Sequence, residues 1–170
     1  MYVPAYEISS LYLHYLLWYK QFRHCQTRTV HFYSREAKDM ELRYQYSPDL
    51  KAQQVARLRE LVGWDGRVEK YEKKLGTTYL CAACFAGDTL VGYVDVVSDG
   101  IDDAYIRDLI VHPDYQRRGI GSQLLDMVVQ RVRSDGIKMI NVVFEPTLQG
   151  FYKKAHFVIK AGGLIDNEVL

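Results

Sequence analysis

At 170 residues with 48% hydrophobic side chains, the chain has the length of one domain and enough apolar surface to bury a core. Its 22 Lys and Arg nearly cancel 21 Asp and Glu, which argues against holding a nucleic-acid backbone or an acidic membrane by charge alone. Three cysteines, Cys25, Cys81 and Cys84, cannot all pair within one chain and point to a reducing, cytoplasmic setting. The apolar run 11–19 is too short to span a bilayer, contains His14, and lacks the preceding basic residues of a secretory signal.

Residues 1–39 differ from the rest. They hold six of the 14 tyrosines (Tyr2, Tyr6, Tyr12, Tyr15, Tyr19, Tyr33) and three of the five histidines (His14, His24, His31). Three readings fit this extension. It is an N-terminal helix with Ile8, Leu11, Tyr12, Tyr15, Leu16 and Tyr19 on one face, an arm or dimerisation element, or an upstream-start artefact with Met40 as the true first residue. A purine-rich ribosome-binding sequence can encode Arg35-Glu36, which suits the third.

From Met40 the pattern is that of an ordinary folded domain, residues 40–170. Alternation predicts a strand over 41–46. Ser47-Pro48-Asp49 signals a helix start, with Leu50, Val55, Leu58, Leu61 and Val62 on the apolar face. Gly63-Trp64-Asp65-Gly66 ends that helix. A second covers 67–75, with Arg67, Glu69, Lys70, Glu72, Lys73 and Lys74 as a solvated face. Strands over 78–85 and 89–97 flank the turn Ala86-Gly87-Asp88. Cys81 and Cys84 lie three apart within a strand, so they point to opposite faces. No second pair completes four ligands, and no metal site is expected. A polar loop precedes a strand over 104–111. The next helix repeats Ile120, Leu124, Val128 and Val132 every fourth residue. A strand over 137–144, a short helix over 148–154 and a last strand over 157–161 complete the order β-αα-β-β-β-α-β-α-β. This is an α/β fold, a mixed sheet with helices on both faces.

Residues 104–121, AYIRDLIVHPDYQRRGIG, carry the chemistry. A β-branched strand stops at His112-Pro113-Asp114 and runs into a turn at a helix start. Gly119 and Gly121 lack a Cβ, so backbone N–H groups can approach a ligand, and the helix start adds unpaired donors and partial positive charge. The arrangement suits an anion, a pyrophosphate above all. No Walker sequence is present, and a third glycine is missing for a dinucleotide fingerprint.

Three segments together resemble the GCN5-related N-acetyltransferase (GNAT) family over about Met40 to Asp166. Gln116-Arg117-Arg118-Gly119-Ile120-Gly121 fits its Q/R-x-x-G-x-G/A acyl-CoA signature, and Leu109-Ile110-Val111-His112-Pro113 resembles the preceding strand end. Phe151-Tyr152-Lys153-Lys154-Ala155-His156-Phe157 looks like its F/L-Y-x-x-x-G-F segment. The resemblance implies the GNAT fold, with central strands splayed around an acetyl thioester. It further implies an acetyl-CoA-dependent transferase that moves an acetyl group to the primary amine of a small molecule or peptide by direct attack.

On that basis Gln116, Arg117, Arg118, Gly119, Ile120, Gly121 and Ser122 would hold the pyrophosphate. The backbone of Leu109, Ile110 and Val111 would pair with the pantetheine arm as with an added strand. Tyr152 would protonate the leaving thiolate, a task that suits a phenol of pKa about 10. Some relatives carry a glutamate base on the strand before the signature. Here Tyr105 stands about there, as a candidate acceptor-site residue, and Asp108 lies on the same strand with its facing open. Glu145, where many members have a cofactor-contacting asparagine, is the candidate base; water-mediated deprotonation is the alternative. Trp64 is a candidate pocket wall. His112 reads as a turn residue, and His156 replaces a usual glycine. A homodimer is the expected assembly. Two other classes stay open: an acyl-CoA sensor without turnover, and an interaction protein whose aromatic leader docks on a partner.

Overall fold

Leu42 and Tyr44 turn inward along an edge strand, β1 (Leu42–Tyr46), which pairs antiparallel with β2 (Leu80–Ala86) from Leu42↔Ala86 to Tyr46↔Ala82. The computed structural model describes residues 41–165 and 167, so the readings of 1–39 lie outside the described residues. β2 and β3 (Thr89–Ser98) form a hairpin on a two-residue turn in which Gly87 takes φ +57°. β3 pairs antiparallel with β4 (Asp103–Val111), and β4 pairs in parallel with β5 (Met139–Val142). The sheet order is β1-β2-β3-β4-β5, mixed as expected.

Every residue of β2 is buried, because both faces of the sheet are covered. On one face Ala82, Cys84, Val94 and Ile106 pack under α3 (Ile120–Ser134), which presents Leu124, Leu125, Val128 and Val132. On the other, Cys81, Ala83, Tyr93 and Ile110 pack beneath α1 (Ala52–Leu61) and α2 (Val68–Lys74) through Val55, Leu58 and Tyr71. The two strand cysteines thus sit in different cores as free thiols. Among the described residues no cluster of His, Cys, Asp or Glu is arranged to hold a metal, and no helix is long and apolar enough to cross a membrane.

Four expectations change. Residues 157–161 form no strand: they do not pair with β5, which stays the edge of the sheet, and Val158 stays 77% exposed while Phe157 packs inward. The strand predicted over 137–144 shortens to Met139–Val142, where its pairing with β4 stops. α1 starts at Ala52 rather than at Asp49. Its terminus is closed by the Gln54 side chain, whose Oε1 accepts the Lys51 N–H at 2.9 Å, and Leu61 at its far end is 42% exposed. Finally, Lys74 leaves the solvated face of α2 and reaches into a buried ion cluster.

Candidate active site

The pairing of β4 with β5 ends at Ile106↔Val142, yet β4 continues to Val111. The divergence coincides with a bulge. Tyr93 faces Ile110 and Asp95 faces Arg107, so Asp108 and Leu109 together oppose Val94, and Asp108 takes φ +50°. A bulge with its first residue in the left-handed region bends and twists the strand, which turns the end of β4 away from β5. The His112 N–H donates to the Val91 carbonyl at 2.8 Å. By strand alternation the Val111 N–H points to the opposite edge, which β5 has left unpaired. The Val111 carbonyl accepts the Gln116 Nε2 at 3.1 Å, tying the edge to the following turn.

That turn is shaped by backbone demands. A 3-10 turn (Pro113–Tyr115) leads to Arg117 at φ +60° and Gly119 at φ +83°, the N-cap of α3. A Cβ at Gly119 would meet nothing within 4 Å, so its glycine is required by conformation and not by space. The first intrahelical bond is Gln123 N–H to Gly119 O at 2.9 Å, which leaves the N–H groups of the first turn without intrahelical acceptors. Ile120 anchors the turn: its side chain is 1% exposed and packs over Gly92 of β3.

A cleft of about 570 Å³ joins these parts. Leu109, Ile110 and Val111 line it from β4, and Gln116, Arg117, Gly119, Gly121 and Ser122 from the turn. Phe151 and Tyr152 line it from α4 (Gln149–Lys154), and Val62, Trp64 and Leu148 complete it. Sequence reasoning did not place Val62, Leu148 or Phe151 in the cleft. An apolar residue on a loop or a short helix carries no signal that separates core from cleft.

Tyr152 is 4% exposed. Its ring stacks on Phe144 at 4.3 Å and meets Phe151 and Phe157 edge to face at 5.1 and 5.6 Å. Burial, and then the neighbouring Tyr105, raise its phenol above the ordinary value of 10.0, so the group carries its proton at neutral pH. His156 takes φ +65° in the turn that follows, the backbone state a glycine would adopt freely. The His112 Nδ1 accepts the Asp114 N–H at 3.2 Å, which fixes it as a turn residue.

Other predicted residues are not among those that line the cleft. Tyr105 is half-buried where β4 still pairs with β5, opposite Asn141, outside the cleft lining. Glu145 is exposed before the 3-10 turn Pro146–Leu148, and its carbonyl accepts the Leu148 N–H at 2.8 Å. The structure does not bring its carboxylate among the lining residues. The Arg118 guanidinium lies 5.0 Å from the Tyr115 ring, also outside the lining.

Asp108 turns toward α1 and α2. It accepts from Arg59 Nη1 at 2.8 Å, Tyr71 Oη at 2.6 Å and Lys74 Nζ at 2.5 Å. Burial pushes its pKa up, but the Lys74 and Tyr71 hydrogen bonds and the charges of Lys74 and Arg59 outweigh burial and hold the carboxyl below its ordinary value. A carboxylate so occupied is a poor base. Lys74 also reaches Asp95 at 3.2 Å, which Arg107 Nη2 meets at 2.7 Å. The spacing held a signal for this cluster: Arg59 lies one turn after Val55 on the buried face, and Lys74 three residues after buried Tyr71.

The comparisons agree with this geometry. An uncharacterized N-acetyltransferase, ycf52, of Pyropia yezoensis is 28% identical over 134 residues, 76% of each chain. Its counterpart in Gracilaria tenuistipitata var. liui is 27% identical over 115 residues, 65% of this chain and 63% of that protein. This chain therefore spans somewhat under two thirds of one algal relative and three quarters of the other. A solved GNAT-family acetyltransferase of Streptococcus pneumoniae superposes with a TM-score of 0.64 at 28% identity, covering 74% of this chain and 96% of that one. The family model described as an acetyltransferase (GNAT) domain matches residues 46–163, and the chain belongs to the GNAT acetyltransferase family.

Proposed function

We propose that the chain transfers an acetyl group from acetyl-CoA to a primary amine of a small molecule or peptide. One observation carries the reading: a single cleft contains the unpaired edge of β4, the donor-rich start of α3 and a buried phenol, Tyr152. The donor set suits acetyl-CoA. The N–H groups of Gly119 to Ser122, with Arg117, fit a pyrophosphate, and the backbone of Leu109 and Val111 fits an amide-bearing arm laid along it as a strand. Gln116 holds the Val111 carbonyl and so fixes the angle between edge and turn. Bound acetyl-CoA supplies an activated thioester carbonyl.

The amine gives up its proton to water and attacks that carbonyl directly. Tyr152 gives its proton to the departing thiolate sulfur. Phe144, Phe151 and Phe157 keep water from the phenol, and the ring contacts set its direction. With Glu145 outside the cleft lining and Asp108 fully engaged, water-mediated deprotonation is the base-side reading.

The test is thiol release from acetyl-CoA across a panel of amines, for the native chain and Tyr152→Phe. The variant should lose about 100-fold in kcat and keep acetyl-CoA affinity within about twofold. Unchanged turnover would remove Tyr152 from the chemistry. Acetyl-CoA binding without thiol release on any amine would favour a sensor.

A further inference from the structure

The loop that carries Trp64 into the cleft is closed by an unusual helix end. Gly63, at φ +83°, donates its N–H to the Glu60 carbonyl at 3.0 Å, and the Trp64 N–H reaches back to the Arg59 carbonyl at 3.0 Å. These two bonds form a Schellman motif, in which the side chains at the Arg59 and Trp64 positions are brought together, as a rule by an apolar contact. Here the contact is a cation on a ring: the Arg59 guanidinium carbon lies 5.1 Å from the Trp64 ring centre. The same guanidinium donates from Nε to the Asp65 carbonyl at 2.7 Å and from Nη1 to the Asp108 carboxylate at 2.8 Å.

One buried side chain thus grips the loop twice and the strand once. Asp108 immediately precedes Leu109, so the carboxylate that occupies the β4 bulge sits beside the strand edge lining the cleft. Arg59 carries that anchor across to the aromatic residue lining the same cleft from the α1–α2 loop. Val55 and Leu58 hold α1 to the sheet without it, and Tyr71 and Lys74 still occupy Asp108 in its absence. A role in global stability alone does not call for its contacts with Trp64 and Asp65.

We propose that Arg59 is a specificity-determining positioning residue, which locks Trp64 to the β4 bulge and so fixes one wall of the acceptor end of the cleft. A lysine cannot replace it. A single ammonium lacks the planar fork needed to meet a carboxylate, a carbonyl and a ring face together. The amine is held by a wall set in place before it arrives, so loosening the wall raises the amine KM and leaves the acetyl-CoA end unchanged.

The test uses the full chain with Trp18→Phe, which leaves Trp64 as the single tryptophan. Arg59→Lys should shift Trp64 emission to the red and raise its quenching by acrylamide. With the amine that the thiol-release panel ranks first, its amine KM should rise about tenfold, with the acetyl-CoA KM within about twofold. Trp64→Leu in the native background should raise the amine KM similarly, and the double variant should be no worse than Trp64→Leu alone, because Arg59 acts through Trp64. Unchanged Trp64 emission and quenching, additive effects in the double variant, or an equal rise in both KM values would overturn the assignment. The kinetic arm rests on the acetyltransfer reading, but the fluorescence arm does not. Lack of turnover with every amine would refute that reading and leave Arg59 to be judged on Trp64 emission. If Arg59→Lys does not fold, an unchanged amine KM in Trp64→Leu refutes the proposal by itself.

Discussion

Gly92→Ala should weaken acetyl-CoA binding from inside the core. A Cβ at this position would lie 2.8 Å from Leu124 Cδ1, 2.9 Å from Ile120 Cγ2 and 3.2 Å from Cys84 Cβ. Carbon atoms pack best at about 3.5 to 4.0 Å, so α3 would have to retreat from β3 by about 0.7 Å. Neither methyl can swing aside, because Leu124 and Ile120 are fully buried among neighbours on both sides. Overpacking of this kind costs about 1 to 3 kcal/mol, which at about 2 to 4 °C per kcal/mol for a chain of this size lowers Tm by about 2 to 12 °C. The strain is not spread evenly. Ile120 is the first residue of α3 and stands between Gly119 and Gly121, so the displaced end is the one that presents the N–H groups without intrahelical acceptors. Acetyl-CoA affinity should fall about tenfold, a loss of about 1.4 kcal/mol. Urea unfolding and calorimetric titration with acetyl-CoA measure the two effects. A variant as stable as the native chain would refute the packing argument. One that is destabilised but binds acetyl-CoA normally would refute the claim that the β3 contact positions the turn.

Three further outcomes follow from the site. Gly119→Ala puts a side chain at φ +83° with no steric neighbour, so it should cost about 1 to 2 kcal/mol from backbone strain; its acetyl-CoA affinity, measured by titration, should fall as the turn relaxes. Because burial raises the Tyr152 phenol above 10.0, kcat should show no alkaline decline from this group below pH 10. An alkaline limb near pH 8 that disappears in Tyr152→Phe would contradict this. Asp108→Asn should lose about 2 kcal/mol of stability at pH 6. The folded carboxyl lies below its ordinary 3.8, so its contribution is complete above that value and fades as pH falls through the folded pKa. Urea unfolding should therefore show the native chain and Asp108→Asn converging below pH 3.8, and a constant gap would refute the depressed pKa.

Local pattern alone determined much of this protein. The i, i+4 run from Ile120 to Val132 specified the buried face of α3, since a helix with that stripe must bury it against another element. The Gly87-Asp88 hairpin and the opposite facing of Cys81 and Cys84 follow from turn chemistry and the two-residue repeat of a strand. The turn from Gln116 to Gly121 was also legible, because it is a short-range feature with a fixed backbone demand, whereas Tyr152 was singled out only by the resemblance of its segment to the family's.

What lay beyond the sequence depends on contacts between distant segments. Alternation over 157–161 resembles a strand, but a strand exists only where its backbone pairs with an edge, and here Phe157 packs on Tyr152 while β5 remains the edge of the sheet. Lys74 looked like a surface charge and the facing of Asp108 stayed open because the two residues are 34 apart in the chain, joined only when α2 docks on β4. Glu145 and Tyr105 stand near the right places in the chain, yet facing is decided by where β4 and β5 part. That parting arises from one inserted residue at the Asp108 bulge, a tertiary event that no periodicity announces.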